Sequence, residues 1–391
     1  METTRRKAER KVGRAELDEL MGEVCGGEIH AQRVASLSHG GDGVLHAASL
    51  GVRAMGHGLA AANGLTPRHA ITQVDRLLSN PKRMREDVAR CWVRFVVAER
   101  QELRVNFDWT ELEDSDQSMI VLGTHTTHGR STPLVWKTVR RSELQDQRHA
   151  HEDALLCRLA DVRPAGGHVT VLADRGCSAT KLYRFLKEEL GVDSIIRCRG
   201  VVYVESADGE RRKAKDWLGV GGWMRMLRGA RVTAEGEPVP VVVCVQQKPM
   251  QEPWRLASSR DDLKGADLKN LDGKRFTVEE PCRDLKHPRL GLGLQQTVVQ
   301  RHDRRDVLCL LATLAHTLLT LLGQAGQELG LERWLGASRP GQYSRCRQGQ
   351  MLFELIPTME EKRLRALMQR FGQLLRDHVL LSQVLGCLEN I

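Results

Sequence analysis

Three acidic residues occupy positions in the sequence at which carboxylates could bind divalent metal ions. Asp108 lies inside the apolar run from Val105 to Trp109, Asp174 directly follows the run HVTVLA, and Glu279 lies in a later charged segment. Cleavage of a phosphodiester by two divalent ions needs several convergent carboxylates as oxygen ligands. A buried carboxylate without a partner is costly, which makes Asp108 and Asp174 unusual among the 50 acidic residues. Taken singly, each acid also has a structural explanation, because acids near strand ends are commonly turn formers or solvated residues.

The segment from Asp272 to Lys286 predicts a helix with acidic and basic residues on one face. Around a helix axis, Arg275 and Glu279 are about 40° apart and Glu279 and Lys286 about 20° apart. Glu280 points about 100° away and is the poorer candidate. A metal-binding acid between two cations suits a phosphate backbone, since the cations can bind its oxygens. The alternative is an ordinary surface salt-bridge ladder.

The elements that would position these residues form a mixed α/β pattern. Three β-rich runs are followed by a helix, a strand, a helix and a strand, which predicts a mixed sheet with helices on both faces. The predicted elements are strands 103–109, 118–122 and 133–139, helix 142–161, strand 168–173, helix 179–190 and strand 194–199. This order matches the ribonuclease H-like arrangement, in which strands one and four are neighbours. Asp108 and Asp174 could then share a metal ion, and Glu279 could complete a second position from a helix.

Changes in periodicity divide the chain into five predicted segments. Residues 1–98 are helical, with a start signal at Thr66-Pro67, residues 201–253 alternate in a β pattern, and residues 336–391 are helical again. Residues 99–200 and 254–335 are then two parts of one α/β domain, which the β-rich segment interrupts. Basic residues in the N-terminal segment are candidates for binding a polyanion or for an ordinary solvated face. They include Arg68, Lys82, Arg83 and Arg85.

The composition favours a polyanionic partner. The 391 residues include 59 Lys and Arg, which gives a formal charge of +9. Seven Trp, six Phe and three Tyr are too few for a general base-stacking surface. Ten cysteines without a C-x-x-C pair are typical of reduced thiols in a cytosolic protein, not of a zinc ribbon or a disulfide framework.

The sequence predicts neither a secretory signal nor a membrane span nor an ATP site. The N-terminus is charged throughout, and the apolar stretch 307–322 is interrupted by polar residues and too short for a bilayer, which predicts a buried core helix. No G-x-x-x-x-G-K-[ST] loop occurs. The pairs His125/His128 and His149/His151 have spacings possible for metal ligands, but surface or packing roles suit them better.

Four stretches of the chain resemble, in order, the DDE transposases of bacterial insertion sequences of the IS four type. They are FDWTEL, VTVLADRGCSATKLYRFLKEELGVDSIIRCRG, EPWRLASS and KRFTVEEPCRDLKHPRLGLGL, within about residues 100–330. The family signature is a tyrosine, two residues, an arginine, three residues, a glutamate, six residues and a lysine. Arg275, Glu279 and Lys286 match its last three members.

The resemblance implies a metal-dependent active site. Asp108, Asp174 and Glu279 would be the catalytic residues and would hold two Mg²⁺ or Mn²⁺ ions. Arg275 and Lys286 would contact DNA phosphates.

Further DNA contacts are expected next to this site. Trp254 occupies the place where this family can stack a flipped base, and a half-buried strand aromatic is the alternative. Arg175, directly after Asp174, is also predicted to bind DNA. Arg197 and Arg199 alternate onto one side of the last strand, where they either approach DNA or line a polar sheet edge.

The resemblance also implies cut-and-paste transposition. Water would nick the DNA at the ends of the element, the freed 3′-hydroxyl would attack the opposite strand to form a hairpin, and a later attack would join the element to target DNA. Residues 1–98 would recognise terminal inverted repeats on double-stranded DNA. Residues 336–391 would pair two subunits into a homodimer. The protein would act in the cytoplasm at the nucleoid, and no membrane partner is expected.

Two departures from the signature leave the activity open. Asp272 stands where the family has tyrosine, which removes a ring and a hydroxyl near the DNA and adds a like charge. Pro281 lacks the N–H that a continuous helix needs, and if the helix instead begins near Glu280, Arg275 leaves the shared face. The alternatives are a catalytically impaired DNA-binding regulator and a ribonuclease H-like nuclease without strand transfer.

Overall fold

The protein has an α/β fold built on a ten-stranded mixed sheet. A computed structural model describes residues 12–79, 82–97, 100–112, 115–126, 128–163, 166–177, 180–248, 250–287 and 291–386. Within these residues the strands form a single sheet, and helices precede and follow it along the chain. The predicted α/β class is confirmed.

In the described part of the N-terminal segment, five helices precede the first strand. They are α1 (Arg14–Cys25), α2 (Ala31–Ala47), α3 (Val52–Asn63), α4 (Pro67–Ser79) and α5 (Lys82–Val97). The hydroxyl of Thr66 accepts a hydrogen bond from the His69 amide at 3.4 Å, which confirms the predicted helix start at Pro67. Arg68 is exposed, and the side chains of Lys82, Arg83 and Arg85 lie outside the described residues.

The first half of the sheet follows the predicted order of elements. These are β1 (Glu102–Leu112), β2 (Gln117–Thr124), β3 (Thr132–Arg140), α6 (Arg148–Ala160), β4 (His168–Ala173), α7 (Thr180–Arg184) and β5 (Asp193–Arg197). Strand β1 pairs antiparallel with β2 and parallel with β4, and β4 pairs parallel with β5. The strand order is therefore β3-β2-β1-β4-β5.

Three predicted elements in this half differ in their ends. The helix expected at 142–161 begins at Arg148, after a 3₁₀ turn at Arg141–Glu143. The helix expected at 179–190 is α7 continued by a π-helical turn at Phe185–Glu189. The strand expected at 194–199 already ends at Arg197, so the next residues are available to line a cleft.

The β-rich segment predicted for residues 201–253 continues the same sheet. Its strands are β6 (Tyr203–Glu205), β7 (Arg211–Lys213), β8 (Arg225–Val232) and β9 (Glu237–Val245). Strand β10 (Trp254–Ser258) pairs antiparallel with both β9 and β5, so the full order is β3-β2-β1-β4-β5-β10-β9-β8-β6-β7. Trp254 is therefore brought next to β5.

Helices complete the chain. They are α8 (Gly265–Lys274), α9 (Glu279–Lys286), α10 (His302–Glu328), α11 (Arg345–Leu355), α12 (Glu361–Arg376) and α13 (His378–Leu385), with a 3₁₀ turn at Arg275–Val278 between α8 and α9. Within the helical segment predicted for residues 336–391, α12 and α13 are separated at Asp377. The Asp377 carboxylate accepts hydrogen bonds from the amides of Val379 and Leu380 and so starts a new helix.

Helix α10 forms the centre of the hydrophobic core. By length and composition it could cross a membrane, but 94% of its most apolar window is buried inside the protein. The predicted buried core helix is thereby confirmed. Gly323 and Gly349 allow α10 and α11 to cross closely, because an added Cβ would collide with the carbonyl groups of Arg345 and Leu319, respectively.

Candidate active site

Asp108 and Asp174 lie side by side at adjacent strands of the sheet. The last pair in the parallel register of β1 and β4 joins Phe107 to Ala173, and the two acids are the next residues on each chain. Neighbouring strands run about 4.8 Å apart, so the two carboxyl groups start from adjacent backbone positions. The structure thus brings together the two aspartates that the strand pattern singles out.

Asp108 is half-buried and lies in an electrostatic cluster. Its Oδ1 accepts a hydrogen bond from the Trp109 amide at 3.0 Å. Burial raises the pKa of the Asp108 carboxyl to about 6; Arg275 opposes this shift, and the negative charges of Glu279 and Asp174 add to it. The other two predicted acids therefore both act electrostatically on Asp108.

The continuous helix predicted through Arg275, Glu279 and Lys286 is wrong. Helix α8 ends at Lys274, and α9 begins at Glu279 after the intervening 3₁₀ turn. Pro281 then lies in the first turn of α9, where its missing N–H breaks no intrahelical bond. The observed start at Glu279 is one residue before the alternative start near Glu280. Arg275 precedes α9 and does not share its face.

Arg275 is buried next to the second aspartate. Its side chain is 3% exposed, and its Nη2 lies 3.5 Å from Asp174 Oδ1. In this structure Arg275 therefore forms an ion pair inside the acidic cluster, and its contact with DNA phosphate stays a prediction. The pair neutralises part of the negative charge that Asp108, Asp174 and Glu279 concentrate there.

Polar contacts that the sequence analysis did not identify hold the 3₁₀ turn against the sheet. Asn106 in β1 is fully buried, and its Nδ2 donates to Thr277 Oγ1 at 3.3 Å. The Thr277 carbonyl accepts from the Ser131 amide at 3.0 Å. A ring nitrogen of His125 bonds Asn106 Oδ1, which gives that histidine a packing role.

Arg130 fixes the side of α9 that faces away from the cluster. Its Nη1 lies 2.8 Å from Glu280 Oε2, and its Nε lies 2.9 Å from Asp284 Oδ2. Glu280 also pairs with Arg283, whereas Glu279 is exposed. The interpretation of Glu280 as the poorer candidate agrees with these contacts. No sequence signal marks Arg130, which lies in a loop.

Lys286 is held by strand β1 at the other end of α9. Its Nζ donates to Thr110 Oγ1 at 2.7 Å and to the Glu111 carbonyl at 3.4 Å. Thr110 lies two residues after Asp108 in β1. The predicted DNA-contacting residue Lys286 therefore binds the strand that carries the first aspartate.

An open cleft of about 520 Å³ lies at the carboxyl ends of β4 and β5. Asp174 is on its wall, and so are four arginines: Arg175, Arg197, Arg199 and Arg255. The predicted DNA-binding residue Arg175 is exposed and pairs with Glu252 at 3.2 Å. A cleft with this excess of guanidinium groups suits a polyanion.

Trp254 and Asp272 are joined by Arg197 beside this cleft. The guanidinium carbon of Arg197 lies 4.0 Å from the centroid of the half-buried Trp254 ring, and its Nε lies 2.6 Å from Asp272 Oδ2. Asp272 is 0% exposed, and burial raises the pKa of its carboxyl while Arg197 lowers it. The expectation that Asp272 presents a like charge to DNA is wrong, because the carboxylate is enclosed and paired.

The donor atoms of the acidic cluster, which are carboxylate oxygens, are of the type that binds divalent cations. Carboxylate oxygens are the preferred ligands of Mg²⁺ and Mn²⁺, and the Arg275 guanidinium acts on two of the carboxylates, Asp108 and Asp174. The burial and negative surroundings of Asp108 favour a cation beside it. Among the described residues, no group of three His, Cys, Asp or Glu side chains is arranged to hold a metal ion in this conformation, so the carboxylates would have to approach one another on binding.

The fold and the site define an α/β protein with paired aspartates at adjacent parallel strands and an arginine-lined cleft. In comparisons with known proteins, no family model matches the chain and no curated protein matches it significantly. Its functional assignment therefore depends on the site.

Replacing Asp108 by Asn is expected to stabilise the fold at neutral and alkaline pH. Because the pKa of Asp108 is raised from 3.8 to about 6, the wild-type protein loses stability as the pH rises through about 6. At about 1.4 kcal/mol per pKa unit, the loss approaches about 3 kcal/mol at alkaline pH and is absent below about pH 4. The Asp108→Asn variant does not titrate, so its advantage should grow with pH in urea unfolding without divalent ions.

Glu354→Gln, on the exposed surface of α11, is the control for removing one carboxylate. The difference in stability between Glu354→Gln and the wild type should not grow from acidic to alkaline pH. An Asp108→Asn variant that is less stable than the wild type at alkaline pH would contradict the expected cost of burying this carboxylate.

Proposed function

We propose that the protein is a metal-dependent DNA transposase of the DDE type. The observation that carries the proposal is the adjacent placement of Asp108 and Asp174 at parallel strands, with Glu279 acting electrostatically on Asp108 and an arginine-lined cleft beside them. Acids in this arrangement suit phosphodiester chemistry, and the cleft suits a DNA backbone.

A ribonuclease H-like fold is part of this proposal. Its support is the order β3-β2-β1-β4-β5, with three antiparallel strands followed by two parallel ones. A β-rich segment between the second aspartate and the glutamate also agrees with the family that the sequence resembles.

In the proposed mechanism, Asp108, Asp174 and Glu279 would hold two Mg²⁺ or Mn²⁺ ions. When bound, these ions would lower the pKa of the attacking water or 3′-hydroxyl and stabilise charge on the leaving oxygen. The protein orients the DNA strand: the arginines of the cleft bind phosphates, and Trp254 contacts a base next to the cut. Arg275 keeps Asp174 in place through their ion pair.

Double-stranded DNA with terminal inverted repeats is the proposed substrate. The N-terminal helices would recognise the repeats, and the helices after residue 336 would pair two subunits. The proposed location is the bacterial cytoplasm, at the nucleoid.

A regulator without catalysis is the less favoured alternative. Asp272 and Pro281 motivate it, but Pro281 fits the first turn of α9 and Asp272 forms an ion pair with Arg197. The pair with Arg197 uses only Oδ2 of Asp272, whereas Oδ1 has no hydrogen-bond partner among the described residues. Neither Pro281 nor Asp272 obstructs the acidic cluster, and a catalytic role is preferred.

Purified protein given Mg²⁺ and DNA with the ends that flank its own reading frame should nick those ends, form hairpins and join the 3′ end to a target plasmid. EDTA should abolish all three products. Cleavage without joined products would indicate a nuclease, and tight binding without cleavage would indicate the regulator.

A further inference from the structure

Arg197 is an almost enclosed arginine on the wall of the cleft. It is 8% exposed, and its guanidinium carbon lies 4.0 Å from the centroid of Trp254 and 4.9 Å from that of Phe276. Its Nε donates to Asp272 Oδ2 at 2.6 Å. The group is thus held between two rings and one carboxylate.

One donor of this guanidinium is unused. Among the described residues, Nη2 of Arg197 is buried and has no hydrogen-bond partner. Buried donors in folded proteins are nearly always paired, so an unpaired donor on a cleft wall indicates an acceptor that binds there. Three further arginines line the same cleft, namely Arg175, Arg199 and Arg255.

A phosphate oxygen is the acceptor that suits this place. Guanidinium donors bind phosphate with charge-assisted hydrogen bonds, and their planar fork makes the geometry specific. The cleft adjoins Asp174, so a phosphate bound by Arg197 would lie on the DNA strand close to the acidic cluster.

The buried Asp272 carboxylate contacts Arg197 in its orientation against Trp254. A long arginine side chain has many rotamers in solution, and the Asp272 carboxylate accepts a hydrogen bond from Nε in the rotamer that lies against Trp254. Asp272 also stands where the family signature has tyrosine. We propose that Asp272 is a positioning residue, which holds Arg197 against Trp254 so that Nη2 of Arg197 binds a phosphate of the DNA strand in the cleft. The proposal rests on the proposed function, since it names how that site grips its substrate.

The test is the salt dependence of binding to a short fluorescein-labelled DNA duplex, measured in EDTA to prevent cleavage. Arg197→Met should weaken binding about tenfold and reduce the slope of log affinity against log salt by about one. Asp272→Asn should also weaken binding, although it removes a negative charge. Charge alone predicts the opposite sign, so a merely electrostatic role would not produce this loss.

The controls separate positioning from folding and from charge. Asp261→Asn removes an exposed negative charge outside the cleft and should leave affinity equal or slightly higher, and Arg333→Met removes an exposed positive charge elsewhere. The double variant Asp272→Asn/Arg197→Met should bind no more weakly than Arg197→Met alone. Binding is measured at a temperature at which circular dichroism shows that all variants are folded. If Asp272→Asn does not fold, Arg197→Lys replaces it and should lose affinity with unchanged charge.

Two outcomes would overturn the inference alone: Asp272→Asn binding as tightly as the wild type, or Arg197→Met matching Arg333→Met. If Arg197→Lys replaces Asp272→Asn, an affinity of Arg197→Lys equal to that of the wild type would also overturn the inference. A wild-type protein that fails to bind the duplex would instead overturn the proposed function, and this inference with it.

Discussion

Asp108→Asn should reduce DNA cleavage by a factor on the order of 10³ or more. The substitution keeps the size of the side chain and removes a charged oxygen ligand from the acidic cluster. Asp174→Asn and Glu279→Gln should cause losses of similar size, because the proposed metal site uses all three carboxylates. The measurement is the initial rate of nicking at the element ends at saturating Mg²⁺, with DNA affinity measured separately in EDTA.

Glu280→Gln is the matched control for Glu279→Gln. The two residues are neighbours, but Glu280 pairs with Arg130 and Arg283 on the other side of α9. Arg130 keeps its second partner, Asp284, in this variant, so the rate should stay within a few-fold of that of the wild type. Equal cleavage by wild type and Asp108→Asn would rule out the assignment of the catalytic residues.

Asp272→Tyr, which restores the residue of the family signature, is expected to destabilise the protein by roughly 3–5 kcal/mol. It removes the partner of a buried guanidinium and leaves Arg197 uncompensated between Trp254 and Phe276. A tyrosine ring is also larger than the space of a carboxyl group that is 0% exposed. Chemical unfolding of both proteins, followed by circular dichroism, measures the difference.

The double variant Arg197→Met/Asp272→Leu tests the physical reason. Replacing both members of a buried ion pair with apolar residues is often close to neutral, so this protein should be more stable than Asp272→Tyr and should still bind DNA poorly. The regulator hypothesis makes a different prediction: Asp272→Tyr should create an activity that the natural chain lacks. A stable and more active Asp272→Tyr protein would therefore favour that hypothesis.

Local sequence patterns determined most of the elements. The β-rich runs at 103–109, 118–122, 133–139 and 168–173 correspond to β1–β4 because period and side-chain type control strand formation over a few residues. The same runs identified Asp108 and Asp174, since a carboxylate within or just after an apolar run is unusual. Pro281 also signalled that a helix through Glu279 could be interrupted.

Only the tertiary structure decided which distant groups meet. Arg197 and Asp272 are 75 residues apart, and their pairing depends on the packing of α8 against a sheet in which β10 lies beside β5. Asn106 and Arg130 reach the turn and helix around Glu279 from 171 and 150 residues away. Sequence periodicity reports the environment of one element at a time. The enclosure that turns Asp272 from a surface charge into the partner of Arg197 arises only when separate elements pack and exclude water.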